Sequence, residues 1–284
     1  MKAAILSGKG GTGKTTVSTH LAALFPDALY VDMDVEEPNG DLFLNPEWND
    51  RIPVSVIYPE IDNDKCTHCR NCAAFCRFNA LIAGKALTIS MKEICHGCGG
   101  CALVCPSDAI RYRERIIGYV SRGITRFGSP IISGKMDVGE FSGVPLIDRI
   151  RTMDRTEALQ IIDSPPGTSC TTVAAVEGCD LAVIVTEPTP FALSDMKRTV
   201  EMLRTMKLPF AVVINKAGMG DRGVYDYCRD ESIDILGEIP FSLELAGAYA
   251  TGVMLDSVSP QLQKEYRKIM DGMKRKAGMP GVAV

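Results

Sequence analysis

Apolar and polar positions follow two periods along the chain. Lys2–Leu6, Ala28–Asp34, Leu159–Asp163, Leu181–Thr186, Phe210–Asn215 and Ile233–Ile239 are short runs with few polar positions, as in strands buried on both faces. After Lys14, the apolar residues Val17, Leu21 and Leu24 recur at helical spacing, and after Ser194 so do Met196, Val200 and Leu203. Such strands alternating with amphipathic helices predict an α/β fold, a mostly parallel sheet covered by helices on both faces. Between Ile116 and Gly143, glycines and β-branched residues alternate without a helical period, which predicts a hairpin-rich connector.

A cysteine block interrupts this alternation. Of 11 cysteines, eight lie between Cys66 and Cys105, while Cys170, Cys179 and Cys228 are scattered. Cys66, Cys69, Cys72 and Cys76 recur 29 positions later as Cys95, Cys98, Cys101 and Cys105, and Ala80-Leu81 recurs as Ala109-Ile110. This implies two copies of one small unit. The doubled C-x₂-C-x₂-C-x₃-C spacing is that of bacterial two-cluster ferredoxins, in which each fourth cysteine ligates the other cluster. Cys66, Cys69, Cys72 and Cys105 are then expected to hold one 4Fe-4S cluster, and Cys76, Cys95, Cys98 and Cys101 the second. Structural zinc uses cysteine pairs rather than triplets followed by a fourth ligand. Pro106 follows Cys105 as that spacing expects, whereas Arg77 follows Cys76, which leaves the ligand count intact but alters backbone and charge beside it. His68 and His96 are surplus to eight ligands. The expected organisation is an α/β core in two parts, 1–58 and 114–284, around an inserted cluster domain at 59–113.

Gly8-Lys9-Gly10-Gly11-Thr12-Gly13-Lys14-Thr15 fits the G-x-x-x-x-G-K-[ST] phosphate loop and falls between a predicted strand and a predicted helix. Glycines let the backbone N–H groups turn toward a polyphosphate, Lys14 reaches the β/γ oxygens, and Thr15 offers a hydroxyl to Mg²⁺. Lys9 is a second lysine inside the loop. With Thr16 completing it, KGGTGKTT resembles the deviant Walker A motif of the MinD/ParA/Mrp group of P-loop ATPases, and the chain as a whole resembles members of that superfamily carrying an inserted ferredoxin domain. The resemblance implies that Lys9 reaches across a nucleotide-sandwich dimer to the partner's phosphates, acting like an arginine finger. It also implies that Asp34 orients the attacking water, that Asp32 supports the Mg²⁺ shell, and that Asp163, in Ile161-Ile162-Asp163-Ser164-Pro165-Pro166-Gly167, holds Mg²⁺ through water as Walker B. Asn215-Lys216-Ala217-Gly218 departs from the guanine signature N-K-x-D at Gly218, so the Asn215 amide suits adenine and ATP is favoured over GTP.

Composition adds little to this. With Lys+Arg 31 and Asp+Glu 35 the net charge is −4, which gives no reason to expect nucleic acid, and the start of the chain does not read as a secretory signal. A cytoplasmic protein is expected. Arg111, Arg113 and Arg115 alternate, as on one solvated strand face. The C-terminal segment carries Leu262, Tyr266, Ile269 and Met273 on one helical face with lysines and arginines elsewhere, a stripe that suits packing on the sheet better than a membrane surface. Cys170 lies seven residues after Asp163, the offset of one cluster-ligating cysteine of the nitrogenase iron protein, but its companion is missing and a packed thiol is expected.

These features predict an Mg-dependent ATPase that dimerises with ATP, as a homodimer or with a paralogue. Its slow intrinsic hydrolysis would be coupled to electron transfer or redox sensing through two 4Fe-4S clusters and an unidentified redox or cofactor-accepting protein. The alternatives are an ATP-dependent carrier of iron-sulfur or another metal cofactor, and a positioning ATPase of the MinD/ParA kind.

Overall fold

The computed structural model describes residues 1–153, 157–243, 246–247 and 260–278. In chain order the elements are β1 (Lys2–Leu6), α1 (Lys14–Leu24), β2 (Leu29–Asp32), α2 (Gly40–Leu44), β3 (Glu47–Ile61), α3 (Asn71–Phe75), β4 (Leu81–Ala83), β5 (Thr88–Ser90), α4 (Gly100–Leu103), β6 (Ile110–Ile124), β7 (Pro130–Met136), α5 (Val144–Arg151), β8 (Gln160–Asp163), α6 (Cys170–Val176), β9 (Leu181–Thr186), α7 (Pro190–Thr205), β10 (Phe210–Ala217), α8 (Gly223–Asp230), β11 (Ile235–Pro240) and α9 (Pro260–Lys276).

A nine-stranded sheet runs β11-β10-β9-β1-β8-β2-β7-β6-β3. Every pairing from β11 to β7 is parallel, and β6 and β3 add an antiparallel edge. The central strands are apolar on both faces because helices cover both: Ile5, Val183 and Val213 pack with α1 and α9, while Ala4, Ile184 and Val212 pack with α7 and α8. The stripe on α9 is spent on this core, with Tyr266, Ile269, Met270 and Met273 fully buried. Among the described residues no helix is long and apolar enough to cross a membrane.

The predicted hairpin connector is the β6–β7 turn, and β7 then joins the parallel sheet beside β2. The strand β3 was not foreseen. It pairs with β6 along its whole length, from Glu47 opposite Ile124 to Ile61 opposite Ile110, forming a long ribbon. Pro53 and Pro59 lie in β3, which among the described residues has no strand on its other side, where a missing N–H breaks no ladder and discourages edge pairing. The expected boundary near residue 58 thus falls inside a continuous strand, and the cysteine-bearing segment sits at the far end of the ribbon.

Candidate functional site

The phosphate loop turns between β1 and α1 at the carboxyl end of the sheet, where open α/β folds place ligands. Gly13 has φ +91°, and a Cβ there would meet Asn215 Nδ2 at 2.1 Å, so both conformation and space require glycine. Lys14 opens α1 and is buried. Its Nζ lies 2.5 Å from Asp163 Oδ1 and 3.2 Å from Asp34 Oδ2. Burial pushes the Lys14 ammonium toward neutrality, but Asp163 and Asp34 outweigh it and raise its pKa. The Tyr30 hydroxyl donates to Asp163 Oδ2 at 3.1 Å. Asp32 is fully buried. Its two oxygens accept the N–H groups of Asp34 and Gly40, each at 3.1 Å, so it braces the turn after β2. Burial and then the Asp163 charge push the Asp32 carboxyl well above its usual range, and burial raises that of Asp34 against the pull of Lys14.

Two carboxylates, Asp34 and Asp163, therefore contact one ammonium at the start of α1, and Asp32 acts on it only through its charge. Hard oxygen donors of this kind, with the Thr15 hydroxyl in the first turn of α1, suit Mg²⁺. Asn215 Nδ2 donates to Thr12 O at 2.8 Å and its Oδ1 accepts Lys216 N at 2.9 Å, locking the loop to β10. A pocket of about 250 Å³ opens beside it, lined by Gly11, Gly13, Thr16, Asn215, Lys216 and Phe241 among others.

Lys9 is held within its own chain. Its Nζ lies 2.8 Å from Glu187 Oε1, while Lys216 Nζ takes Glu187 Oε2 at 2.9 Å and reaches Gly11 O at 3.4 Å. Burial works against the charge on Glu187, but hydrogen bonds from the two lysines prevail and hold its carboxyl below the usual range. Neither Glu187 nor Tyr30 was singled out in the sequence. Tyr30 is hidden in an apolar strand, and Glu187 follows β9 without a motif around it.

The cysteine segment folds as two copies of one unit. The short helices α3 and α4 are related by the 29-residue offset, and so are three left-handed positions: His68 and Gly97, Arg70 and Gly99, Asn79 and Asp108. Ala80 N donates to Cys76 Sγ at 3.3 Å and Ala109 N to Cys105 Sγ at 3.4 Å. The copies also cross-bond reciprocally, Asp62 N to Ala109 O and Met91 N to Ala80 O, each at 2.8 Å. Cys72 and Cys101 are buried, Cys69 and Cys98 exposed, and the other four intermediate. Burial, with a smaller contribution from neighbouring cysteines, pushes the Cys72 and Cys95 thiols up. Among the described residues, however, no three His, Cys, Asp or Glu side chains are gathered closely enough to form a metal site. His96 is exposed and stacks on Phe78 with centroids 3.7 Å apart, while Tyr112 donates to Gly99 O at 2.6 Å and lies 3.2 Å from Cys101 Sγ.

Two expectations are corrected. Cys170 is exposed rather than packed, because it is the first residue of α6 and the helix buries the side carrying Thr171, Thr172, Ala174 and Ala175. The arginine row is not uniformly solvated: Arg113 pairs with Glu60 in the open, but Arg115 is mostly buried against Glu140. Alternation put the three on one face but could not reveal the loop that covers one end.

The fold and loop define a P-loop nucleotide-binding protein of the MinD/ParA type. The sequence profile of the CobQ/CobB/MinD/ParA nucleotide binding domain matches residues 3–255, and the chain belongs to this family. It is 34% identical over 282 residues to an uncharacterised protein of Methanocaldococcus jannaschii, spanning 95% of this chain and 97% of that one. An iron-sulfur cluster carrier protein of Pyrococcus abyssi is 26% identical over 272 residues, 89% of this chain and 78% of the relative. Among solved structures, the septum site-determining protein MinD of Pyrococcus horikoshii, complexed with Mg-ADP, superposes with a TM-score of 0.59 at 18% identity over 97% of this chain and 96% of that one, a likeness of fold.

Proposed function

We propose that the chain is an Mg-dependent ATPase that dimerises with ATP and carries two 4Fe-4S clusters in an inserted ferredoxin-like module, so that nucleotide state and electron exchange are linked. The observation that carries this reading is the internally doubled cysteine unit, its two copies cross-bonded through Asp62 N to Ala109 O and Met91 N to Ala80 O, on a ribbon continuous with the sheet of a nucleotide-binding core. Cys66, Cys69, Cys72 and Cys105 would hold one cluster and Cys76, Cys95, Cys98 and Cys101 the other, and the donor set of soft thiolates suits iron-sulfur chemistry. Bound there, the clusters supply one-electron redox capacity. In the core, Lys14 and the loop amides would bind the phosphates, and Thr15 and Asp163 would hold Mg²⁺ with Asp32 fixing the turn. Asp34 would orient water, and Lys9 would leave Glu187 to serve the partner's nucleotide.

A second reading, ATP-dependent delivery of an iron-sulfur cluster, is favoured by the curated carriers to which the chain is similar. In that case the clusters are cargo and their loss, not their oxidation, follows ATP turnover. Anaerobically purified protein should contain about eight iron atoms per chain, and its ATP turnover should differ between oxidised and dithionite-reduced samples while iron stays bound. Stoichiometric zinc without acid-labile sulfide would refute the clusters. Iron leaving for an apo-acceptor during turnover would favour the carrier.

A further inference from the structure

We infer that Arg115 is a positioning residue that couples the phosphate site to the second cysteine run; the inference rests on the nucleotide-linked reading above. The contacts form an unbroken series. Asp34, which takes Lys14 Nζ at 3.2 Å, precedes Val35. The Val35 carbonyl accepts Met136 N at 2.8 Å, and a Cβ on Gly143 would stand 2.4 Å from Val35 Cγ2, so the loop between β7 and α5 is seated directly on Val35. Asp137 N donates to Ile117 O at 2.9 Å, tying that loop to the ribbon. Within the loop, Glu140 pairs with Arg115 Nη1, both side chains being only 15% exposed. Arg115 Nη2 reaches Glu93 O at 3.4 Å, two residues before Cys95. The cysteine loop rests on β3 as well, where a Cβ on Gly97 would lie 3.0 Å from Ile57 O.

The chemistry gives this series a reason to move. A triphosphate on the loop competes for the Lys14 ammonium and brings negative charge beside Asp34, whose contact with Lys14 is the longer of the two, so Mg-ATP weakens that pair one residue from Val35. The Arg115 fork binds an acceptor on the core loop and another on the cysteine loop at once, which a single ammonium cannot do with the same geometry. A groove of about 620 Å³, lined by Asp34, Glu36, His96, Phe141 and Pro166 among others, leaves the two sides room to shift beyond this joint.

Linkage makes the test direct: a redox-dependent change in nucleotide affinity must appear as an equal shift in potential. EPR-monitored redox titrations with and without a non-hydrolysable Mg-ATP analogue are compared for the wild-type holoprotein, Arg115→Met and Arg115→Lys. In the wild type, a coupling of about fivefold, read as roughly 40 mV at 59 mV per tenfold, is expected mainly on the cluster assigned to Cys76, Cys95, Cys98 and Cys101. Arg115→Met should lose most of that shift with both clusters loaded and the analogue bound, and Arg115→Lys should be intermediate. Hydrogen exchange over residues 93–98 should respond to the analogue in the wild type and not in Arg115→Met. If that variant does not fold, Glu140→Gln should weaken the shift in its place. A fully loaded variant that keeps the wild-type shift overturns the role of Arg115 alone. A wild type whose potentials ignore bound nucleotide overturns the linked reading and Arg115 with it.

Discussion

At the scale of single residues, the nucleotide site is an arrangement of competing charges. Glu187 joins Lys9 of the phosphate loop at 2.8 Å and Lys216 of β10 at 2.9 Å, and so fixes the phosphate loop against the end of β10. Its carboxyl is held below the usual range, so it stabilises the fold above about pH 4.3, the ordinary glutamate value, and that stabilisation is lost as pH falls through its own lower pKa. Glu187→Gln should therefore cost about 1 kcal/mol at neutral pH, a fall of roughly 2 to 4 °C in melting temperature for a chain of this size. The gap should close in acid. A gap that instead persists unchanged below pH 4 would show that the pair contributes nothing and that the substitution acts by packing. The sequence made Lys14, Asp34 and Asp163 legible because motif and strand ends identify them, and the structure brings all three within contact. Glu187, Tyr30 and Glu140 were not legible, since each acts through partners remote in sequence.

At the scale of elements, the legible parts are those with one environment along their length. β1 and β9 match their apolar runs residue for residue because both faces are covered. β3 was missed because its environment changes along the strand and prolines punctuate it, although Ile52, Val54, Val56 and Tyr58 do alternate. In the cysteine module the repeat was legible in the cysteine spacing and is repeated in the backbone, where Arg70 adopts φ +67° at the position equivalent to Gly99 at φ +78°. A non-glycine residue in the left-handed region costs roughly 1 to 2 kcal/mol. Arg70→Gly should then stabilise the module, and Gly99→Ala, whose added Cβ meets nothing within 4 Å, should destabilise it by about 1 kcal/mol through the backbone alone. Chemical denaturation followed by circular dichroism measures both, and equal effects of like sign would remove the backbone explanation.

At the scale of the whole molecule, the question is whether the cysteine module is part of the core or an attachment to it. The ribbon answers in geometric terms. Asp62 N donates to Ala109 O at 2.8 Å, so these residues form a hydrogen-bonded antiparallel pair just beyond Ile61 and Ile110. All eight clustered cysteines lie between them, and a two-residue Asn-Gly turn is the connection that such a pair accepts. Replacing residues 63–108 by Asn-Gly should close the ribbon, releasing Ala109 N from Cys105 Sγ to bond Asp62 O, and leave the nine strands of the sheet in place. The distal ribbon will fray, because an unsupported two-stranded hairpin is marginal in water and β7 supports β6 only from Gly118 onward. The core should nonetheless melt cooperatively, contain no iron and bind ATP, since the hydrogen-bond and ion-pair partners found above for Lys14, Asp34, Asp163 and Asn215 lie outside residues 63–108. Calorimetry and nucleotide titration decide the matter. An excised chain that folds and binds ATP makes the module an insertion whose influence must pass through the ribbon and the loop at Glu140. One that fails to fold, with the turn itself confirmed as tolerated by a longer Gly-Ser linker, would make the cysteine unit a structural part of the ATPase and remove the two-part division of the chain.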